Sequence, residues 1–450
     1  MDRPDSKRAQ PPSDADDPDA FRFYVARRVS NPSTARFLFA TGIECSYPVI
    51  AGPDGKEVRR DQLRECSHYE RWREDLDLVD ELGCRLLRYG PPYYSIHVAP
   101  GRYDWSFIDE VMAVLRGRTV LPVIDLCHFG LPDWLGDFQN PEFPRHFAEY
   151  ALAFARRYPW VRLFTPINEM YITAEFSAYY GWWNERLSSH RAFVTAVKNI
   201  ARANTEAMLA ILTVRPDALF ILCESSEHTH ANHPSLVRKA RMFNERRFLT
   251  LDLACGYRVE SGMYIYLMDN GMTPQEYTFF LQQDLREHFI IGQDYYVTNE
   301  HLLINENVRL GSGEIFGYYL LGRHYYERYH LPIMHTETNL MEPGSVQWLW
   351  KTWANVQQLR HEGVPLCGMT WYSLIDQVDW DSALRELNGR PNPLGLYDLE
   401  RRIRPVGEAY KRLIEQWHDT PLLPSGPLTI VGDVLSETRH PDAQTDVREM

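Results

Sequence analysis

From about residue 35 onward, short apolar runs alternate with longer stretches in which apolar residues return every three or four positions. A short continuous apolar run suits a strand buried on both faces of a parallel sheet, and a three-four spacing gives a helix one apolar face. Eight runs, at residues 37–41, 84–89, 120–126, 161–166, 219–223, 289–296, 332–335 and 366–372, read as strands. Helix patterns separate them. In YERWREDLDLVDELG (69–83), for example, the apolar positions keep one face and Gly83 suits a left-handed cap. Strand and helix in alternation predict an α/β chain built of βα units.

Eight strands fit either an open, doubly wound sheet or a closed barrel. No GxGxxG or GxxxxGK[ST] loop follows the first strand, so the phosphate-binding turn of nucleotide-binding open sheets is missing. Polar and aromatic residues instead gather at the C-terminal ends of the runs, the rim from which barrel enzymes assemble their sites. The predicted architecture is a single (β/α)8 TIM barrel over 35–417 with elaborated βα loops. A disordered or extended leader is expected over 1–34, and a disordered tail over 418–450, where Pro, Ser, Thr and Asp replace the periodicity. Residues 224–283 are too many for one βα connection and are expected to hold extra helices that wall or cover the site.

Composition narrows the partners. The 450 residues are 44% hydrophobic and 13% aromatic, enough for a large core. A formal net charge of -13, without a Lys/Arg stripe, argues against nucleic acid, whose non-specific binding depends on basic groups. The first 20 residues lack the apolar core of a secretory signal. No run reaches the roughly 18 to 20 apolar residues of a membrane span. Cys45, Cys66, Cys84, Cys127, Cys223, Cys255 and Cys367 are odd in number and form no CxxC pair, so they read as buried reduced thiols. A cytoplasmic protein with no membrane partner is expected; the oligomeric state is not legible.

The candidate chemistry is a pair of acids. Cleaving a glycosidic bond with retention needs one carboxyl to protonate the departing oxygen and another to attack the anomeric carbon, about 5 to 5.5 Å apart. VRLFTPINEM delivers Asn168 and Glu169 past the fourth run, and LPIMHTETNL delivers Glu337 at the end of the seventh. Strands four and seven face each other across a barrel mouth. Burial beside a second carboxylate suits Glu169 as the acid and leaves Glu337 to act as the ionised nucleophile.

Thr165-Pro166-Ile167-Asn168-Glu169 resembles the T-x-N-E motif of family 1 glycoside hydrolases, the β-glucosidase family, and Thr336-Glu337-Thr338-Asn339 is similar to its T-E-N-G motif. FLFATGIE, LRYG, DLCHFGLPDWL, GQDYY, WYSLIDQVDW and NPLGLYDLE resemble further segments of that family in the same order. The resemblance spans about 35–417 and implies a retaining β-glycosidase acting on a small carbohydrate or glycoside. It implies Arg88 beside the nucleophile, Asn168 on the sugar 2-hydroxyl, and His128 on other sugar hydroxyls. Tyr296, or its neighbour Tyr295, would hold the Glu337 carboxylate; the register favours Tyr296. Trp371 and Trp380 offer flat faces for a pyranose. Substrate contacts are also expected from Glu44, where the family usually has Gln, and Asp379, where it usually has Glu. Asp294 for Asn and Phe129 for Trp are further departures, and the added acidity favours a neutral glycone.

Neither a cofactor nor a metal is expected. The run Glu227-His228-Thr229-His230-Ala231-Asn232-His233 lacks H-E-x-x-H spacing and reads as a polar loop. A transglycosidase, or another retaining barrel glycosidase, would use the same two acids. A carbohydrate-binding pseudoenzyme would have lost one of them.

Overall fold

A computed structural model of the protein describes residues 36–422. Eight parallel strands close on themselves in chain order: β1 Leu38–Gly42, β2 Leu86–Tyr89, β3 Leu121–Asp125, β4 Leu163–Thr165, β5 Leu219–Ser225, β6 Phe289–Asp294, β7 Ile333–Glu337 and β8 Leu366–Tyr372. Leu38 to Gly42 of β1 run beside Gly368 to Tyr372 of β8 and so complete the ring. These are the eight predicted runs, with ends moved by two residues or fewer. Nearly every strand residue is buried, as expected of a sheet covered on its outer face by helices and filled inside by side chains.

The outer layer contains α1 His68–Leu82, α2 Ser106–Arg116, α3 Phe143–Arg157, α4 His190–Leu212, α5 Gly317–Tyr329, α6 Ser345–His361 and α7 Pro405–Trp417. Helix α1 shows why its sequence folds this way. Trp72, Leu76, Val79 and Leu82 recur at helical spacing and are all buried, and Gly83 takes a left-handed conformation (φ 77°) from which its N–H donates to the Asp80 carbonyl.

The long segment after β5 holds four helices, Val237–Arg246, Leu249–Ala254, Ser261–Asp269 and Pro274–Leu281. A small sheet beside it was not foreseen. His228–Ala231 pairs in parallel with Glu300–Asn305, which turns back as Val308–Gly311. His-Thr-His-Ala lacks the apolar pattern of a strand; its pairing depends on a partner some 70 residues away. Glu300 links this sheet to the barrel by accepting the N–H groups of Phe316 and Gly317, each at 2.8 Å, at the start of α5.

The predicted leader over 1–34 lies outside the described residues, as do residues 423–450 of the predicted tail. Residues 418–422 depart from the expected disorder. The N–H of Phe37, just before β1, donates to the Thr420 carbonyl at 2.8 Å, Arg36 bridges Pro421, and Leu422 is buried. A strand entering the core needs acceptors for its first donors, and these residues supply one. Among the described residues no helix is long and apolar enough to cross a membrane.

Strand spacing leaves no room for a side chain at Gly292 in β6, where a Cβ would lie 2.8 Å from the Cα of Cys223 on β5 and 2.8 Å from the Thr336 hydroxyl on β7. Gly292→Ala is expected to lower stability by about 1–3 kcal/mol through overpacking, read as a reduced urea midpoint with unchanged slope. An unchanged midpoint would mean the strands separate freely there.

Candidate active site

At the C-terminal ends of the strands opens a cleft of about 1140 Å³, and both Glu169 and Glu337 line it. Glu337 ends β7. Glu169 follows β4 at the entrance to the short helix Met170–Ala174, with a left-handed backbone (φ 37°) that a non-glycine residue adopts only when its surroundings hold it there. Main-chain bonds to two neighbouring strand ends do so: Asn168 N–H donates to the Cys127 carbonyl at 2.9 Å, and Glu169 N–H donates to the Cys223 carbonyl at 3.1 Å.

The two carboxyls have opposite environments. Burial, then the nearby carboxyls of Asp294, Glu337 and Glu224, push the Glu169 acid well above the usual carboxylate range, with Arg88 opposing. Glu337 accepts hydrogen bonds from two groups, the Arg88 guanidinium on one oxygen and the Tyr296 hydroxyl, at 2.5 Å, on the other. Burial and the Glu337 charge push the Tyr296 phenol up, so it remains a donor. Tyr295 points elsewhere, its hydroxyl donating to Glu300 at 2.8 Å.

Behind the cleft wall a closed ring of polar contacts orients these groups. Arg88 donates to Asp125 at 2.9 Å and to the Asn168 amide oxygen; the Asn168 amide nitrogen lies 3.0 Å from His128 Nε2; His128 Nδ1 lies 2.7 Å from Asp125. With the Asn168 amide as donor, the proton of a neutral His128 sits on Nδ1, pointing at Asp125. Asp125 was not singled out in the sequence, although its place at the end of β3 and its spacing of three from His128 are visible in VIDLCHF.

His128, Glu44 and Trp380 line the cleft, together with Gln377 and Phe129. The Glu44 oxygens accept from Ser46 N–H at 2.8 Å and the Gln377 amide at 3.1 Å, and burial pushes its acid up. Three expected substrate contacts are not available in this arrangement. Asn168 has no exposed surface, and its amide is occupied by Arg88 and His128. Trp371 is fully buried on the other side of β8, its indole N–H donating to the Leu394 carbonyl at 2.9 Å. Its neighbour Tyr372 lies on the side of the site, parallel to the His128 ring at 6.2 Å and with Arg88 5.5 Å from its centroid. Asp379 is also withdrawn. Its carboxylate accepts from Arg60 at 3.0 Å and from the N–H groups of Asn388, Gly389 and Arg390 at 2.8–2.9 Å, so it organises a loop.

The far wall was missed in the sequence. Half-buried Phe176, Tyr179, Tyr180 and Trp182 line it, against the hairpin whose Arg309 donates to the Tyr180 hydroxyl. Arg309 lies 3.4 Å from Glu175 and 3.8 Å from Glu227, and His301 meets Glu227 at 2.6 Å. Burial alone would raise the Glu227 acid, but His301 and Arg309 outweigh it and hold it at about 2. His228 and His230 of the polar run lie with ring centroids 4.6 Å apart, but the three histidines form no group of three ligands among the described residues, and each has another partner. His230 meets Glu300 at 2.7 Å, His228 meets Arg247 at 3.1 Å, and His233 accepts from Ser235 N–H at 3.2 Å. Among the described residues the one group of three possible metal-binding side chains close enough to converge is Cys45, Asp125 and His128, whose Asp125 and His128 already belong to the ring.

Comparison with known proteins gives a consistent picture. The family model described as "Glycosyl hydrolase family 1" matches residues 55–287. Beta-glucosidase A of Thermotoga maritima is 22% identical over 358 residues, covering 70% of this chain and 79% of its own. Thermostable beta-glucosidase B of Thermobispora bispora is 32% identical over 126 residues, 26% of each chain. The solved structure of the beta-glucosidase from Thermotoga maritima in complex with deoxynojirimycin superposes with a TM-score of 0.70 at 17% identity, covering 84% of this chain and 97% of that one, which shows the same fold.

Two predictions follow from the electrostatics. Arg88→Ala removes the shared partner of Glu337, Asp125 and Asn168 and is expected to cost about 3–5 kcal/mol in denaturant unfolding, because charges stay buried without their counterpart. Glu224, on β5, has its acid raised by burial from an ordinary value of 4.5 to about 8. Between those values the unfolded chain binds fewer protons than the folded one, so stability falls as pH rises through that window. Glu224→Gln should reduce the slope of stability against pH there by up to one proton; an unchanged slope would show the group already ionised.

Proposed function

Because the chain belongs to glycosyl hydrolase family 1 and is a glycoside hydrolase, we propose that it removes terminal β-linked sugars with retention, through a covalent glycosyl-enzyme, with Glu169 as acid/base and Glu337 as nucleophile. The observation that carries this reading is the unequal treatment of two carboxyls opening into one cleft. Glu169 is buried among other acids and favours its protonated form, as a proton donor to a leaving oxygen must. Glu337 is oriented by Arg88 and Tyr296, donors suited to an attacking carboxylate.

In this mechanism Glu169 protonates the glycosidic oxygen while a Glu337 oxygen attacks the anomeric carbon. The C–O bond breaks, the alcohol departs, and Glu169 is left as the carboxylate. It then takes a proton from water, whose oxygen attacks the same carbon and releases Glu337. Arg88 and Tyr296 keep the nucleophile aimed through both steps, and Asn168 and Asp125 support it by holding Arg88 and His128. Glu44, His128, Gln377 and Trp380 offer the glycone contacts, and a neutral sugar such as a β-glucoside fits this acidic set. The withdrawal of Asp379 leaves these four to supply its recognition. That the relatives are named beta-glucosidases, one of them solved with deoxynojirimycin, supports a small glycoside substrate. All seven cysteines are buried and unpaired, which supports residence in a reducing compartment such as the cytoplasm.

The two acids are separable kinetically. Glu337→Ala should abolish turnover of every aryl β-glycoside. Glu169→Ala should reduce release of alkyl or poor aryl leaving groups by about 10²–10⁴-fold while sparing the first step for a dinitrophenyl glycoside, which leaves without a proton. Equal losses for good and poor leaving groups would remove Glu169 from the acid role. In the intact protein the acid form of Glu169 is lost as pH rises, so activity on poor leaving groups should fall on the alkaline side.

A further inference from the structure

Beside the two proposed catalytic acids stands a third carboxyl that this mechanism does not use. Asp294 ends β6, and its Cα lies opposite that of Glu337 in the β6–β7 register. It has no exposed surface, and neither oxygen holds a fully formed hydrogen bond, the Thr336 hydroxyl beside it giving only partial relief. A buried carboxylate normally gathers several donors or a cation of its own, because leaving one unsatisfied costs several kcal/mol. Asp294 has neither.

The groups around it deepen the problem for an ionised form. Glu337 and Thr336 face it from β7, Glu224 and Cys223 from β5, Glu169 from the turn after β4, and Arg88 from β2. Tyr296, two residues beyond the end of β6, and Tyr318 on α5 complete the surroundings. Arg88 is the one cation of this set, and its guanidinium is already directed at Glu337, Asp125 and Asn168. Burial and the Glu337 charge both push the Asp294 acid well above the usual range.

We propose that Asp294 is a positioning residue carried as a neutral carboxylic acid, in effect an amide substitute between Glu337 and Glu169, and that loss of its proton to solvent disables the site. In acid form it fills the space beside Glu337 without adding charge, and Glu337 keeps its contacts with Arg88 and Tyr296. Once ionised, it puts a second negative charge across the register from Glu337 with no second cation to meet it. The repulsion would draw the nucleophile off its two donors. Since Asp294 is also the largest charged influence on Glu169, the same event would alter the acid. This inference rests on the retaining-hydrolase reading for its kinetic consequence but not for the protonation state itself.

Infrared difference spectroscopy on the full chain with carboxyl-labelled aspartate reads the proton directly. The intact protein at neutral pH should show the C=O stretch of a buried carboxylic acid that Asp294→Asn lacks and that disappears at alkaline pH. A carboxylate signal from Asp294 at neutral pH would overturn the proposal whatever the activity. In parallel, Asp294→Ala should lower kcat/KM on an aryl β-glucoside by about tenfold to a hundredfold through misplacement of the pair. Asp294→Asn, neutral at every pH, should recover most of that loss, and the alkaline limb of its kcat/KM profile should fall with one proton where the intact enzyme loses two. An Asn variant no better than the Ala variant, or one with an unchanged limb, would overturn the positioning role. If no glycoside is turned over by the intact protein, it is the hydrolase reading that fails, and the infrared arm still decides the state of Asp294. If Asp294→Asn does not fold, the band missing from Asp294→Ala assigns the proton in its place, which sets it apart from the other buried aspartates Asp252 and Asp376 whose acids burial also raises.

Discussion

One guanidinium holds the site together. Arg88, at the end of β2, reaches Glu337 on β7, Asp125 on β3 and the amide of Asn168 beyond β4, so four strand ends meet on a single planar cation. Lysine, with one point of charge, could not serve three acceptors in fixed directions. The carboxyls crowded into this rim share Arg88, which is paired with Glu337 and Asp125, while burial pushes the Glu169 and Asp294 acids up. The unequal character of Glu169 and Glu337 has two sources: burial and the neighbouring acids Asp294, Glu337 and Glu224 push the Glu169 acid up, while the oxygens of Glu337 meet the Arg88 guanidinium and the Tyr296 hydroxyl.

The barrel supplies the rigid frame for this arrangement, and the loops supply the walls. Asn168 and Glu169 are pinned by main-chain bonds to the ends of β3 and β5, so the position of the proposed acid depends on strands rather than on loop conformation. The other side of the cleft is built differently. There the hairpin Glu300–Asn305 and Val308–Gly311 is tied through Arg309 to Glu175 and Glu227, which joins chain from after β4, β5 and β6 into one charged wall. The barrel end of the cleft is thus set by the fold, and the outer end by contacts between insertions.

The frame was legible because it rests on local periodicity: eight apolar runs, helices with one apolar face, and acids at the ends of the fourth and seventh runs. The resemblance of ordered motifs added names for residues that periodicity alone could not assign. The misses have physical causes. His228–Ala231 forms a strand only because a distant hairpin accepts it, and no local pattern encodes that. Trp371 and Tyr372 are adjacent aromatics, and which of them faces the site depends on strand phase. Asp379 looks like any loop acid until Arg60, more than 300 residues earlier, and three backbone N–H groups claim its oxygens. Residues 418–422 lack periodicity, yet they order because the start of β1 needs their carbonyls.

The left-handed backbone at Glu169 places fold and chemistry in opposition. A chain selected for stability alone would carry glycine there, which adopts φ 37° without steric penalty and brings no acid to be buried. Retaining a long ionisable side chain at this point means giving up folding free energy at one of the two positions proposed to react. The reserve that makes this bearable lies elsewhere, in the closed strand ring and its apolar layers. Stability and function are in this sense divided between the two ends of the same strands.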